Sequence, residues 1–287
     1  MARIIAVIND KGGVAKTTTT ANLGTALWLL GKKVLLVDTD QQCNLTQIMG
    51  ADSVEPMADG RPATLFEWLS EPTRIPVYER YDGLDFIPSS REMRNLESHI
   101  GTASGRDTFL RRRLSQIKDD YDFILIDCIP GGKNLSNMNV LAAADEIIVP
   151  TEASSFSVNG TPNLKAFFDE VRENVKEDSK ALPVLGYLLV KYNERTTLGK
   201  EVRDFYNTPS AVLDGPLFPV SIRQCQKCNE SPMVEMTLFE YAPDSTAAND
   251  YMELAKYILG SHKKWTHKEW GKRAKEAFAE YQKRNEE

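Results

Sequence analysis

Residues 4–8 read Ile-Ile-Ala-Val-Ile, and the chain passes almost directly into Lys11-Gly-Gly-Val-Ala-Lys-Thr-Thr18. A short, continuously apolar strand therefore delivers a glycine-bearing loop. The loop opens a helix predicted over Thr19–Leu30, where Leu23, Ala26, Leu27 and Leu30 recur at helical spacing. In this layout backbone N–H groups and a helix N-terminus converge on one point and favour an anion there. Lys16 is placed to reach β- and γ-phosphates, and the Thr17 hydroxyl to ligate Mg²⁺. Gly12, Gly13, Val14, Ala15 and Thr18 complete the cradle. The usual G-x-x-x-x-G-K-[ST] spacing would put glycine at positions 10 and 15, where this chain has Asp10 and Ala15. Its glycines lie inside the loop instead, behind a second lysine, Lys11. Taken alone, the same residues also suit a glycine-rich turn with two solvated lysines.

The rest of the chain supplies the sheet that such a loop needs. Apolar runs at Ile4–Ile8, Val34–Val37, Leu84–Ile87, Phe123–Ile126, Ile147–Val149 and Val184–Val190 alternate with helical patterns. Short apolar strands separated by helices predict a three-layer α/β fold of the P-loop NTPase type. Its twisted, mostly parallel sheet would be covered by helices on both faces. Ligands of such sheets bind beyond the carboxyl ends of the strands, so polar residues just after each strand are the first site candidates. Residues 50–62 mix Gly, Pro, Met and acids and are predicted as a loop.

Two strand ends carry carboxylates. The second ends Val37-Asp38-Thr39-Asp40, with two acids one residue apart on one side of an extended segment. They suit Mg²⁺ held through its waters, or an attacking water. The competing reading is a solvated turn. The fourth ends Ile124-Leu125-Ile126-Asp127, four apolar residues (from Phe123) before an acid that supports Mg²⁺ in the Walker B manner. Gly131-Gly132 follows and gives a backbone able to approach a γ-phosphate.

The residues named so far resemble those of the ParA/MinD family of deviant Walker-A ATPases, most of all the small Soj-type ParA partition ATPases. The resemblance runs from about Ala2 to Leu259. It rests on Lys11–Thr17, Val34–Asp40, Ile126-Asp127, Val149-Pro-Thr-Glu152, Arg195-Thr-Thr-Leu-Gly199 and Asn229-Glu-Ser-Pro232. It implies ATP and Mg²⁺ as cofactors and a nucleotide-sandwich homodimer. By this resemblance Lys16 holds the phosphates, Thr17 ligates Mg²⁺ with Asp38 and Asp127 behind it, and Asp40 orients the attacking water. Lys11 reaches across to the partner's phosphates, Gly12 lets the two loops approach, and Asn193 lies near the adenine. Several positions depart from the family pattern: Ala15, Gln41-Gln42-Cys43, Ile129, Gly131-Gly132-Lys133, and Arg223 in place of a proline. None removes a charged group at the site.

The resemblance further implies sequence-independent DNA binding, with Arg195 and Lys227 on matching positions and Arg223 and Lys200 nearby. A ParB-like partner would stimulate a slow hydrolysis. The net charge of −6 speaks against a chain that coats nucleic acid over its whole surface, but leaves room for a local basic patch. No apolar run approaches the roughly 20 residues of a membrane helix. The chain opens on a strand pattern rather than a secretory signal, and four cysteines without framework spacing fit a reducing, cytoplasmic setting; the resemblance adds nucleoid association when ATP is bound. Cys225-Gln-Lys-Cys228 reads as two reduced thiols, or as half of a metal site completed elsewhere.

The expected organisation is an ATPase domain over residues 1–260 and a helical extension over 261–287. The extension holds eight Lys/Arg against five Asp/Glu. Trp270, Ala274, Ala277, Phe278 and Tyr281 give it amphipathic spacing. Packing on its own domain is the leading reading; added charge for DNA and docking on a membrane are the others, the last opposed by five glutamates. The leading function is a DNA-partition switch. A MinD-like or cargo-positioning ATPase is the alternative, and a metallocluster assembly ATPase a third.

Overall fold

A computed structural model describes residues 1–71, 73–176, 182–208 and 214–260, together with 271–272, 274–276 and 278–279. Among these residues seven strands form one sheet: β1 (Arg3–Val7), β2 (Val34–Asp38), β3 (Tyr78–Tyr81), β4 (Leu84–Ile87), β5 (Phe123–Asp127), β6 (Glu146–Glu152) and β7 (Val184–Val190). Their order is β3-β4-β2-β5-β1-β6-β7, and every neighbouring pair is parallel except β3 with β4. The central strands β2 and β5 are buried along their whole length, as continuous Val/Ile/Leu runs demand when helices cover both faces.

Two apolar layers sandwich the sheet. On one face the helices Lys16–Leu29 and Thr246–Ile258 pack through Leu23, Leu27, Tyr251, Met252 and Leu254. On the other, Trp68, Leu110, Val140, Leu141 and Phe168 come from successive helical segments. The expected three-layer P-loop architecture is the one observed.

Three details differ from the sequence expectation. The first helix begins at Lys16 rather than Thr19, so the ends of the phosphate loop and the helix overlap. A further strand, β3, joins the edge as an antiparallel hairpin closed by Asp82-Gly83, with Gly83 at φ +83°. Asp-Gly between two short strands is a strong hairpin signal, but Tyr-Glu-Arg-Tyr lacks the apolar run that marks the others. Strand β6 is longer than Ile147–Val149 and carries Glu152 to the site end of the sheet.

The described part of the C-terminal segment packs back on the domain. Ala274 is buried, and the Phe278 ring lies 5.2 Å from Tyr81 and 6.2 Å from Trp28, centroid to centroid. Trp270, Ala277 and Tyr281 lie outside the described residues. Among the described residues no helix is long and apolar enough to cross a membrane.

Candidate functional site

Parallel register sets the site. Asp38 pairs with Asp127 across β2 and β5, and Asp127 pairs with Val7 across β5 and β1. The two carboxylates and the origin of the glycine loop therefore meet at one end of the sheet. A cavity of about 550 Å³ opens there, and Gly12, Gly13, Ala15, Lys16, Thr17, Thr18 and Asp40 line it.

The loop adopts an unusual backbone. Gly13 has φ +76°, a region glycine enters freely, and Ala15 has φ +58° directly before the helix. Position 15 is the slot that usually holds glycine, so the alanine sits there at a cost of about 1–2 kcal/mol. Val14 is buried and is not among the residues lining the cavity.

Lys16 is 7% exposed, and its Nζ donates to the carbonyls of Asn9 (3.1 Å) and Lys11 (2.9 Å). Burial pushes its pKa down, against the pull of Asp127 and its neighbours. An anion in the cavity would restore what burial removes. Lys11 is not among the residues lining the cavity; its Nζ lies 3.3 Å from Glu152 Oε2 and 3.3 Å from Ser154 Oγ.

The acidic side is tightly built. Thr17 Oγ1 donates to Asp127 Oδ2 at 2.6 Å. Asp38 accepts from Thr46 N (2.9 Å), Thr46 Oγ1 (2.7 Å) and Asp40 N (2.9 Å), which fixes its rotamer. Burial pushes the Asp38 carboxyl up to about 6 despite those bonds. Asp127 is also pushed well above the ordinary carboxylate range, by burial first and then by Asp38. Asp127 Oδ1 is buried without a hydrogen-bond partner.

Two crowded, desolvated carboxylates, an orphaned oxygen and a hydroxyl form a hard-oxygen set that suits Mg²⁺. Among the described residues no group of three or more His, Cys, Asp or Glu is arranged to hold a metal by itself. A cation here would draw remaining ligands from phosphate oxygens and water, as Mg²⁺ commonly does.

Other expected residues fall elsewhere. The Asn193 side chain accepts from Arg195 N at 3.0 Å in the turn before a helix, and Asn193 does not line the cavity. Arg223, expected as a DNA contact, lines the cavity wall and pairs with Asp250 at 2.6 Å, its side chain 55% exposed. Lys227 pairs with Glu230 at 2.7 Å and lies over the Tyr241 ring, so an external anion must compete with Glu230 for it. Arg195 is exposed.

Cys225 and Cys228 are half-buried free thiols in the same wall, and burial pushes the Cys228 thiol up to about 12. That disfavours the thiolate a metal would need. Lys191 joins the site without a motif to announce it, although it directly follows an expected strand, where the strand-end rule points. It lines the cavity and pairs with Glu152.

A family model for an AAA domain matches residues 2–181. The chromosome-partitioning ATPase Soj of Thermus thermophilus is 32% identical over 260 residues, covering 90% of this chain and 95% of Soj. Cobyrinic acid a,c-diamide synthase from Mycobacterium smegmatis, solved with a bound ATP analogue and magnesium, superposes with a TM-score of 0.76. It is 28% identical and covers 90% of this chain and 94% of its own. The septum site-determining protein MinD of Pyrococcus horikoshii, complexed with Mg-ADP, gives a TM-score of 0.69 at 27% identity, covering 90% and 96%.

Proposed function

The chain belongs to the ParA/MinD family of ATPases, and from that premise we propose a ParA-type partition switch. It binds ATP with Mg²⁺, closes into a nucleotide-sandwich homodimer and then binds DNA without sequence preference. A ParB-like partner accelerates an otherwise slow hydrolysis. Residues 1–260 form the ATPase and 261–287 an extension, of which the described residues Ala274 and Phe278 pack on it. The protein works in the cytoplasm, on the nucleoid when loaded with ATP.

One observation carries the reading: the loop holds two lysines with different tasks. Lys16 is buried and tied to carbonyls of its own loop, a station that phosphate oxygens of the same subunit can occupy. Lys11 lies outside the cavity lining with its side chain 38% exposed, open to a ligand from outside its own loop. A cation delivered in trans stabilises charge on a transferring phosphoryl group, as an arginine finger does.

In the working site, backbone N–H groups of residues 12–18 and the start of the first helix hold the phosphates. Thr17, backed by Asp127 and Asp38, would hold Mg²⁺, which neutralises charge on the phosphate oxygens. Asp40 lines the cavity, and its Oδ1 is fixed by Gln42 N at 2.9 Å, a posture suited to orienting a water. The cavity wall around Ile222 and Gln224 is available to the base, and Asn193 is the residue the family resemblance sets near it.

Arg195, Lys227 and Arg223 are the proposed DNA contacts; Lys227 and Arg223 are paired with Glu230 and Asp250, with which DNA phosphates must compete. A membrane-seated alternative needs the tail's apolar face free, whereas Phe278 stacks on Trp28 and Tyr81.

The test is retention on arbitrary duplex DNA by an Asp40→Ala variant, which should hold ATP without hydrolysing it. Retention should require ATP and should weaken steeply with salt, each neutralised phosphate adding about −0.9 to the logarithmic salt slope. A dimeric, ATP-loaded variant that is not retained at low salt would refute DNA binding.

A further inference from the structure

Glu152 holds two lysines at once. Its Oε2 is 3.3 Å from Lys11 Nζ, and its Oε1 is 2.5 Å from Lys191 Nζ. The carboxylate stands at the end of β6, and Lys191 reaches it from the end of the adjacent strand β7. Lys191 Nζ also donates to the Gly13 carbonyl at 2.7 Å, so it touches the phosphate loop as well. Its own backbone has φ +51°, a left-handed conformation that residues other than glycine rarely adopt.

Burial alone would raise the Glu152 carboxyl, but Lys191 and then Lys11 outweigh it and hold it below its ordinary value. The carboxylate is therefore charged and three-quarters covered, with a side-chain exposure of 23%. Removing the partner of such a charge is costly, because what remains is poorly solvated and unpaired.

Lys11 cannot serve a second subunit while it stays on Glu152. If Lys11 were the sole cation there, its departure would strand the carboxylate, and that cost would oppose assembly. We infer that Lys191 is a positioning residue for Lys11: it keeps Glu152 neutralised when Lys11 swings out to a second copy's nucleotide, and so lowers the cost of closing the dimer. The inference rests on the sandwich-dimer reading. It adds that the strength of assembly depends on a residue placed behind the trans lysine.

The experiment measures dimerisation of the full chain by sedimentation velocity, with Mg²⁺ and a saturating non-hydrolysable ATP analogue. Lys191→Met should weaken dimerisation by about tenfold, or 1.4 kcal/mol. Lys191→Arg keeps the charge and should stay close to the parent. The deciding variant is Glu152→Gln, which removes the charge that needs compensation. In that background Lys191→Met should cost little, so the double-mutant cycle should show coupling of the same size as the single loss.

Equal dimerisation of the parent and Lys191→Met overturns the inference. So does an undiminished loss in the Glu152→Gln background, which would mean that Lys191 acts directly on the nucleotide. A parent chain that binds the analogue yet stays monomeric refutes the dimer reading itself, and the inference with it.

Discussion

Gly12→Val separates folding from assembly. An added Cβ at Gly12 meets no heavy atom within 4 Å, and Gly12 is not among the residues with positive φ. The valine side chain therefore projects into open space on an allowed backbone. Surface changes of this kind stay within about 0.5 kcal/mol. For a chain of this size that is a melting shift of about 1–2 °C. The neighbouring glycine provides the contrast. At Gly13 an added Cβ also meets open space, but φ is +76°, so Gly13→Val costs at least the roughly 1–2 kcal/mol of a left-handed residue, and more for a β-branched one. Calorimetry should thus find Gly12→Val near the parent and Gly13→Val clearly lower. Isothermal titration should find that Gly12→Val still binds the ATP analogue. Light scattering should find no dimer, because two loops that approach at position 12 leave no room for the added side chain. A dimer of analogue-loaded Gly12→Val would refute the close approach, and a loss above about 2 kcal/mol would refute the claim that this face is open in the single subunit.

Three further outcomes follow from the geometry. Thr17→Ala removes the 2.6 Å bond to Asp127 and the hydroxyl proposed for Mg²⁺. It should change stability by only about 1 kcal/mol while reducing Mg²⁺-dependent ATP affinity by at least about tenfold, read by titration with and without the ion. Asp38 gives a pH dependence of known sign: its pKa is about 6 in the folded chain and 3.8 ordinarily, so its contribution to stability is full below pH 3.8 and is lost as pH rises through 6. The melting temperature without nucleotide should carry that falling slope, and Asp38→Asn should flatten it. Phe278→Ala removes the ring's contact with Trp28 and Tyr81 and should cost about 1 kcal/mol, seen as a changed Trp28 emission and a lower urea midpoint. An unchanged emission would mean that the tail does not rest on that face in solution.

The phosphate loop is contiguous, so its chemistry is legible from local order alone: an apolar strand, two adjacent glycines, Lys16-Thr17 and a helix. Asp38, Asp40 and Asp127 are legible as well, because each follows an apolar run and parallel strands put such ends together. The antiparallel strand β3 escapes the same rule because an edge strand needs no continuous apolar run. The surroundings of Asn193 and Arg223 are announced by no motif. Both lie on connections: Arg223 is held by Asp250 from another element, and Asn193 by the local turn at Arg195–Thr196.

The sequence by itself determined the glycine loop, the parallel sheet and the presence of a second loop lysine, Lys11. Tertiary structure alone decided where that extra charge rests. Glu152 and Lys191 stand 141 and 180 residues from Lys11 by chain position, and Glu152 gathers both lysines only because β6 lies between β1 and β7 in the sheet order. Local backbone preferences specify a loop within a few residues. The neutralisation of a charge depends on every carboxylate and cation the fold brings within a few ångströms, and strand order is what brings them there.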